Sequence, residues 1–352
     1  MITSCTTIPV ASSTGAPPGR SYTGGMSTPR ATIIDIAEAV GLSKSTVANV
    51  LSGTGRFSPA TSARVHAAAA KLGYVTNRAA RSLRSGRVGS YGIHLPTVAR
   101  RLPFYTEFAL GAADGADAAQ ADLTLFTSEI DPARSFAVDG AMVVDPEPDA
   151  AIVVALARAG IPILSVGAYH GVGEADVAAT LDARHDALQR EALDLLRARG
   201  RRRFVLLSLR RELGSAWTES TERTFHAWCA ETGSAGEVLD VSADPARWAS
   251  DERLAGIVAG DRTDAIVCAG QGTAHASRII LEASGIRIGQ DIDLASFAAA
   301  PDELLDPRLT VIDLAPTAYG RRAAELLTAI IAGDPDAHRH HWFDGARVRA
   351  GV

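Results

Sequence analysis

Cysteine is almost missing from this chain. Its 352 residues hold three, Cys5, Cys229 and Cys268, scattered too widely for a disulfide framework, and the last two fall in apolar helix and strand patterns that read as reduced core thiols. No apolar run reaches the length of about 18 residues that a membrane-spanning helix needs. There is no Gly-rich phosphate loop, no G-x-S-x-G turn and no Cys or His pair at metal-ligand spacing, so no catalytic residue, cofactor or metal is assigned. His338, His340 and His341 form a short tract, read as a solvated loop before a last strand at Trp342-Phe343 rather than as a metal site. Residues 1–26 lack both a basic start and an apolar run of about seven residues, which excludes a secretory leader. They are rich in Ser, Thr, Gly and Pro and are expected to form a disordered extension; translation from Met1 or from Met26 is left open. The expected compartment is the cytoplasm.

What is present is unevenly charged. The net charge of −5 hides a basic head on an acidic body. Residues 27–88 carry Arg30, Lys44, Arg56, Arg64, Lys71, Arg78, Arg81, Arg84 and Arg87 against Asp35 and Glu38 alone. One end of the chain is therefore suited to phosphate contact.

Within that head, residues 32–52 read as two short helices with a tight turn. Ile33, Ile36, Ala37 and Val40 lie at helical spacing, and Thr32 with Asp35 has the form of a capping box. Gly41 permits a left-handed turn, and Ser43 is an N-cap for a second helix that turns Val47, Val50 and Leu51 inward. Its outward side is read as Lys44, Ser45, Ala48 and Asn49, mostly groups that read base edges in a major groove. Ser58-Pro59 starts a third helix that stops at Gly73.

At this point the sequence resembles the LacI/GalR family of bacterial transcription repressors. The family pattern T-x-x-D-V-A-x-x-A-G-V-S-x-x-T-V-S-x-V-L-N, followed by V-S-x-x-T-R-x-x-V and L-G-Y-x-P-N-x-x-A-x-x-L, is matched at most positions from Thr32 to Leu83. Departures are Val40, Ala48, Ser52 and Thr76, of which Ala48 removes a hydroxyl that would reach DNA. The resemblance implies double-stranded DNA as partner, contacted by Thr32, Ser43, Lys44, Ser45, Thr46, Asn49 and Arg56. It further implies a hinge at 77–88, in which Asn77 and Ala80 fall at minor-groove positions and Leu83 wedges between base steps, while Arg78, Arg81 and Arg84 mainly add phosphate attraction. A helix that short is unstable alone, so it is expected to form when two copies meet on a pseudo-palindromic operator. A homodimer follows.

The body, 89–352, alternates short apolar strands with amphipathic helices, the grammar of parallel sheets covered on both faces. Strands are expected at Ser90–Ile93, Leu123–Phe126, Ala141–Val144, Ile163–Val166, Val177–Thr180, Phe204–Leu207, Ala265–Val267, Leu294–Ser296 and Thr310–Asp313. Helices are expected at Phe104–Ala119, Ala150–Ala159, Arg184–Arg199, Thr221–Glu231, Thr273–Ser284 and Pro316–Ala332, with only a loop between Phe126 and Val138. The fold class is an all-α helix-turn-helix head, 27–76, plus an α/β body of two doubly wound parallel-sheet subdomains flanking a cleft, periplasmic-binding-protein-like type I. The N-subdomain is placed at about 89–182 and 297–313, the C-subdomain at about 183–296 and 314–346. The family resemblance extends more thinly here, through Leu102-Pro103-Phe104-Tyr105, Val138-Asp139-Gly140-Ala141 and Ala318-Tyr319-Gly320-Arg321.

Ligands of such folds bind at the carboxyl ends of strands. The effector-binding candidates are Phe104, Asp145, Asp182, Trp217, Arg223 and Gln271, with His94, Pro96, Tyr105 and Tyr169 behind them. Stacking aromatics with carboxylates and an Arg hold sugars, so the effector is expected to be a sugar or related metabolite. Gly270-Gln271 stands where sugar-binding relatives carry Asn-Asp, and Leu294–Ala299 departs from V-x-G-F-D-D. An unusual sugar, a non-sugar or no effector all remain open. The competing class is a ligand-binding or enzymatic α/β module whose N-terminal helices serve only assembly; the basic head and the 77–83 hinge favour the regulator.

Overall fold

The computed structural model describes residues 31–52, 55–74, 86–97, 102–126, 135–148, 150–209, 216–242, 244, 247–248 and 263–352. The N-terminal extension and the hinge residues Asn77, Arg78, Ala80, Arg81, Leu83 and Arg84 lie outside them, as does most of the loop expected between Phe126 and Val138.

The head is three helices: α1 (Ile33–Val40), α2 (Lys44–Ser52) and α3 (Pro59–Lys71). Thr32 and Asp35 form the capping box, each side chain bonding the other's backbone N–H, at 3.4 and 2.7 Å. Gly41 ends α1 at φ 68°, a left-handed turn that a side chain would strain. Ser43 Oγ accepts from Thr46 N–H at 3.1 Å and Ser58 Oγ from Thr61 N–H at 3.1 Å, so both later helices are capped by side chains. Ile36, Ala37, Val40, Val47, Val50, Val65 and Ala69 close the core. Arg64 donates to the Val40 carbonyl at 2.7 Å, tying α3 to the end of α1.

The body holds two six-stranded sheets. Its strands are β1 (Ser90–His94), β2 (Asp122–Phe126), β3 (Gly140–Val144), β4 (Ile163–Val166), β5 (Ala179–Asp182), β6 (Arg203–Ser208), β7 (Ala235–Asp240), β8 (Ala265–Cys268), β9 (Asp293–Ser296), β10 (Thr310–Asp313), β11 (His340–Trp342) and β12 (Arg347–Arg349). The first sheet has the order β11-β5-β4-β3-β1-β2 and the second β12-β10-β9-β8-β6-β7. All pairings are parallel except that of β12, which runs against β10 at an edge. The helices are α4 (Pro103–Ala118), α5 (Ala151–Arg158), α6 (His185–Ala198), α7 (Ala216–Thr232), α8 (Thr273–Ala283), α9 (Pro301–Leu305) and α10 (Pro316–Ala332). Strands β3, β4, β8 and β9 are buried along their whole length, as sheets covered on both faces require.

Two expectations need correction. Strand β10 pairs with β9 in the second sheet, and α10 packs on α4 of the first subdomain while β11 pairs with β5. The N-subdomain is therefore completed by the segment 316–342 and the C-subdomain by β10 and β12, the reverse of the expected split at Asp313. A strand's sheet is set by pairing partners far away in the chain, which local pattern does not carry. The second correction concerns the His tract: His340 and His341 lie within β11, paired to Thr180 and Leu181, rather than in a loop before it.

Helices α4 and α10 meet at backbone contact. A Cβ at Gly111 would strike the Thr317 carbonyl, and one at Gly320 the Phe108 carbonyl. The chain passes between subdomains through Arg184 (φ 51°) and Ala315 (φ 45°), both left-handed without being glycine.

Candidate nucleic-acid interface and ligand cleft

On α2 the side chains of Lys44, Ser45 and Asn49 are exposed, and Ser43 and Thr32 are exposed beside them. Ser43 Oγ lies 2.9 Å from Ser45 Oγ and 2.8 Å from Thr46 Oγ1, so hydroxyls gather at the start of the helix. Helix-start N–H groups and a cationic Lys44 make this end favourable to phosphate. Arg56 is exposed in the turn before α3. Ala48 corrects the sequence reading: it is 8% exposed and belongs to the inward side, so no outward hydroxyl is lost there.

In the body, the carboxyl ends of the two sheets face each other across a cavity. The N-subdomain contributes Leu102, Phe104 and Tyr105 at the start of α4, Val144 and Asp145 after β3, Val166 at the end of β4, and Tyr319 from α10. Facing them are His185 at the start of α6, Trp217 on α7, Gly270 and Gln271 after β8, and Ala298 after β9; Leu314 lines the crossing. The aromatics interlock: Phe104 meets Tyr105 edge-on at 5.2 Å, and His185 meets Trp217 at 6.1 Å.

Electrostatically the floor is acidic and poorly solvated. Asp145 sits in the left-handed region, φ 45°, and accepts from the Tyr105 hydroxyl at 2.9 Å. Burial, with the Asp182 charge in support, outweighs that hydrogen bond and pushes its carboxyl up to about 7. Burial likewise raises the Tyr105 and Tyr319 hydroxyls well above their usual value. It holds the His185 imidazole below its ordinary value, against the pull of Asp182 and Asp186.

Of the six candidates, Phe104, Asp145, Trp217 and Gln271 come together in this cavity. Asp182 does not line it: its carboxylate accepts from the Arg184 N–H at 2.8 Å and holds the crossing into α6. Arg223 stands elsewhere, at a second opening lined by Pro146, Tyr169, His170 and Glu219, where it donates to Ser220 Oγ at 3.1 Å. His94 and Pro96 line a third opening, shared with Asp145. His185 and Tyr319 escaped the sequence reading as site residues. Their signal was present but weak: a His three residues after β5, and a Tyr in a family-like Ala-Tyr-Gly-Arg.

Comparisons with known proteins follow the same division. Residues 32–77 match the family described as bacterial regulatory proteins, lacI family, and residues 193–351 match a periplasmic binding protein-like domain. The chain is similar to the HTH-type transcriptional regulator CelR of Thermobifida fusca, 28% identical over 324 residues that cover 87% of this chain and 93% of that one. It is 46% identical over 87 residues to the maltose regulon regulatory protein MalI of Escherichia coli (strain K12), a match spanning 25% of each. Among solved structures, the Lac repressor dimer bound to operator superposes with a TM-score of 0.69 at 20% identity, over 91% of this chain and 97% of that one, a likeness of fold. The head, with its own core, thus carries a lacI-family helix-turn-helix domain, and the two-sheet body around the cleft carries a periplasmic binding protein-like domain.

Proposed function

We propose that this chain is a sequence-specific transcriptional regulator, acting as a repressor, whose affinity for its operator is set by a small molecule held in the cleft. The observation that carries it is the exposed row Lys44, Ser45 and Asn49 on a helix whose opposite side is buried in the head's core. A helix packed on one side and lined with donors and acceptors on the other is built to enter a major groove. The role is one of binding, not enzymatic, and is exercised in the cytoplasm.

The working form is a homodimer on a pseudo-palindromic operator. One helix-turn-helix covers too little surface for specificity, and two copies read two half-sites. Leu110 on α4, Leu125 on β2 and Ile279 on α8 are exposed apolar side chains that supply surface for a second copy. In the cleft, Phe104, Asp145, Trp217 and Gln271 are the proposed effector contacts. A ligand there changes DNA affinity only if it binds open and closed bodies unequally. A gel shift against fragments of the protein's own upstream region tests the regulator reading: retention of one fragment over competitor DNA supports it, and uniform retention of all fragments contradicts it.

A further inference from the structure

The cavity is apolar where a polyhydroxylated ligand needs partners. Leu102, Val144, Val166 and Leu314 occupy strand ends and turns around it, positions from which polar side chains would otherwise fix a sugar's hydroxyls. The polar groups that do line it are largely spent within the protein. The Tyr105 hydroxyl is given to Asp145 and the Tyr319 hydroxyl to the Leu181 carbonyl. The Gln271 carboxamide donates through Nε2 to the Ala299 carbonyl and accepts at Oε1 from the Phe104 N–H. Two things are left over. The indole N–H of Trp217 is buried and has no partner among the described residues. The Asp145 carboxyl, with Asp182 behind it, faces no Lys or Arg among the described lining residues. Arg184, adjacent in the chain, has its guanidinium 4.3 Å over the Trp342 ring and 3.6 Å from Asp344 instead.

We infer that the cleft takes a small, mostly apolar amine with an aromatic ring, its ammonium paired with Asp145 and its ring held among Phe104, Trp217 and Tyr319, rather than a free sugar. This rests on the reading of the cleft as the effector site. A buried carboxylate without a counter-ion is costly, and an ammonium compensates it. Aromatic faces add attraction for the same cation, and a single acceptor on the ring satisfies the Trp217 N–H.

Proton balance gives the inference a signature. The titratable groups around Asp145 are Tyr105, His185 and Tyr319 in the cleft with Asp182 behind, and His94 and Glu147 at the adjoining opening. With the carboxyl near 7, an ammonium that arrives already protonated restores the carboxylate and sends its proton to the buffer, about half a proton per site at neutral pH. A neutral ligand in the same place releases none.

Isothermal titration calorimetry of the full chain at pH 7 tests this, in two buffers of different ionisation enthalpy, with four probes: tyramine, its alcohol isostere tyrosol, its acid isostere 4-hydroxyphenylacetate, and cellobiose. Tyramine is expected to saturate, to bind at least tenfold more tightly than the other three, and to release about half a proton. Asp145→Asn is expected to erase its advantage over tyrosol, and the proton count on the unaltered protein stands even if that variant folds poorly. Tighter binding of the acid, the alcohol or cellobiose overturns the amine class, as does tyramine binding without proton release or no binding of tyramine at all. Saturation by cellobiose alone removes the ligand class and leaves the cleft as the effector site, while the gel shift judges the regulator reading separately.

Discussion

The backbone N–H of Phe104 is capped from the opposite subdomain. It donates to Oε1 of Gln271 across the cleft, and Nε2 of the same side chain donates to the Ala299 carbonyl at 3.2 Å. Pro103 opens α4 without an N–H, and Leu102 before it offers no side-chain cap. Phe104 therefore presents the first donor of α4, and its partner stands on the other subdomain. The residue expected to touch a ligand also bridges the two subdomains.

Gln271→Ala should then loosen the closed body. Losing a cap and a partly buried hydrogen bond costs about 1–2 kcal/mol. Chemical denaturation should show a lower midpoint, and small-angle scattering a wider radius of gyration. An unchanged midpoint together with unchanged scattering would contradict a latch role.

Asp145 should cost stability at neutral and alkaline pH. Its carboxyl titrates near 7 in the folded chain and near 4 when unfolded, so the folded state holds the proton more tightly. Between those values stability falls as pH rises, and above 7 the full cost is present. His185, held low by burial, acts in the opposite sense as pH falls below its usual value. The clean comparison is therefore between the parent chain and Asp145→Asn at each pH. The variant is expected to be the more stable at pH 8, with the gain gone at about pH 4. A constant difference across that range would refute the assignment.

Much of the body was legible because its central strands are short apolar runs. Ile163–Val166 and Thr310–Asp313 fall where the pattern placed them, and Ala141–Val144 gains one residue. The strands that escaped are edges or exposed. Ala235–Asp240 has three exposed residues at its start, and Arg347–Arg349 is a three-residue Arg-Val-Arg strand at the far edge. Neither carries an apolar run, and both exist because a neighbour offers hydrogen bonds. β5 slid from Val177–Thr180 to Ala179–Asp182 because half of it faces outward and its apolar signal is diluted. In the site, Phe104, Asp145 and Gln271 were legible since they follow strands or open helices. Arg223 was misplaced because its helix begins earlier, at Ala216, and turns it to a different opening.

Gly320→Ala separates two local effects of known size. Helix propensity favours Ala by about 1 kcal/mol, whereas overpacking against the Phe108 carbonyl costs about 3 kcal/mol. A net loss of about 2 kcal/mol in denaturant titration is expected. A gain in stability would mean that α4 and α10 do not meet at backbone distance.

On DNA, Asn49 and Arg84 should divide specificity from attraction. Asn49→Ala is expected to relax discrimination at one base position by about 1–3 kcal/mol. Arg84→Ala should weaken all sequences alike and flatten the salt dependence by about one unit or less. Titration of operator and random DNA at several salt concentrations distinguishes them; equal effects of both changes on both DNAs would end that division.

The most direct measurement is the stoichiometry and selectivity of the purified chain on its operator, by sedimentation with labelled duplex. Two protomers per operator are expected, binding at least about 1,000-fold more tightly than to random duplex. Leu110→Asp with Ile279→Asp should lower both together, since a monomer reads one half-site. One protomer per site, or equal affinity for operator and random DNA, would contradict the dimeric regulator at its centre.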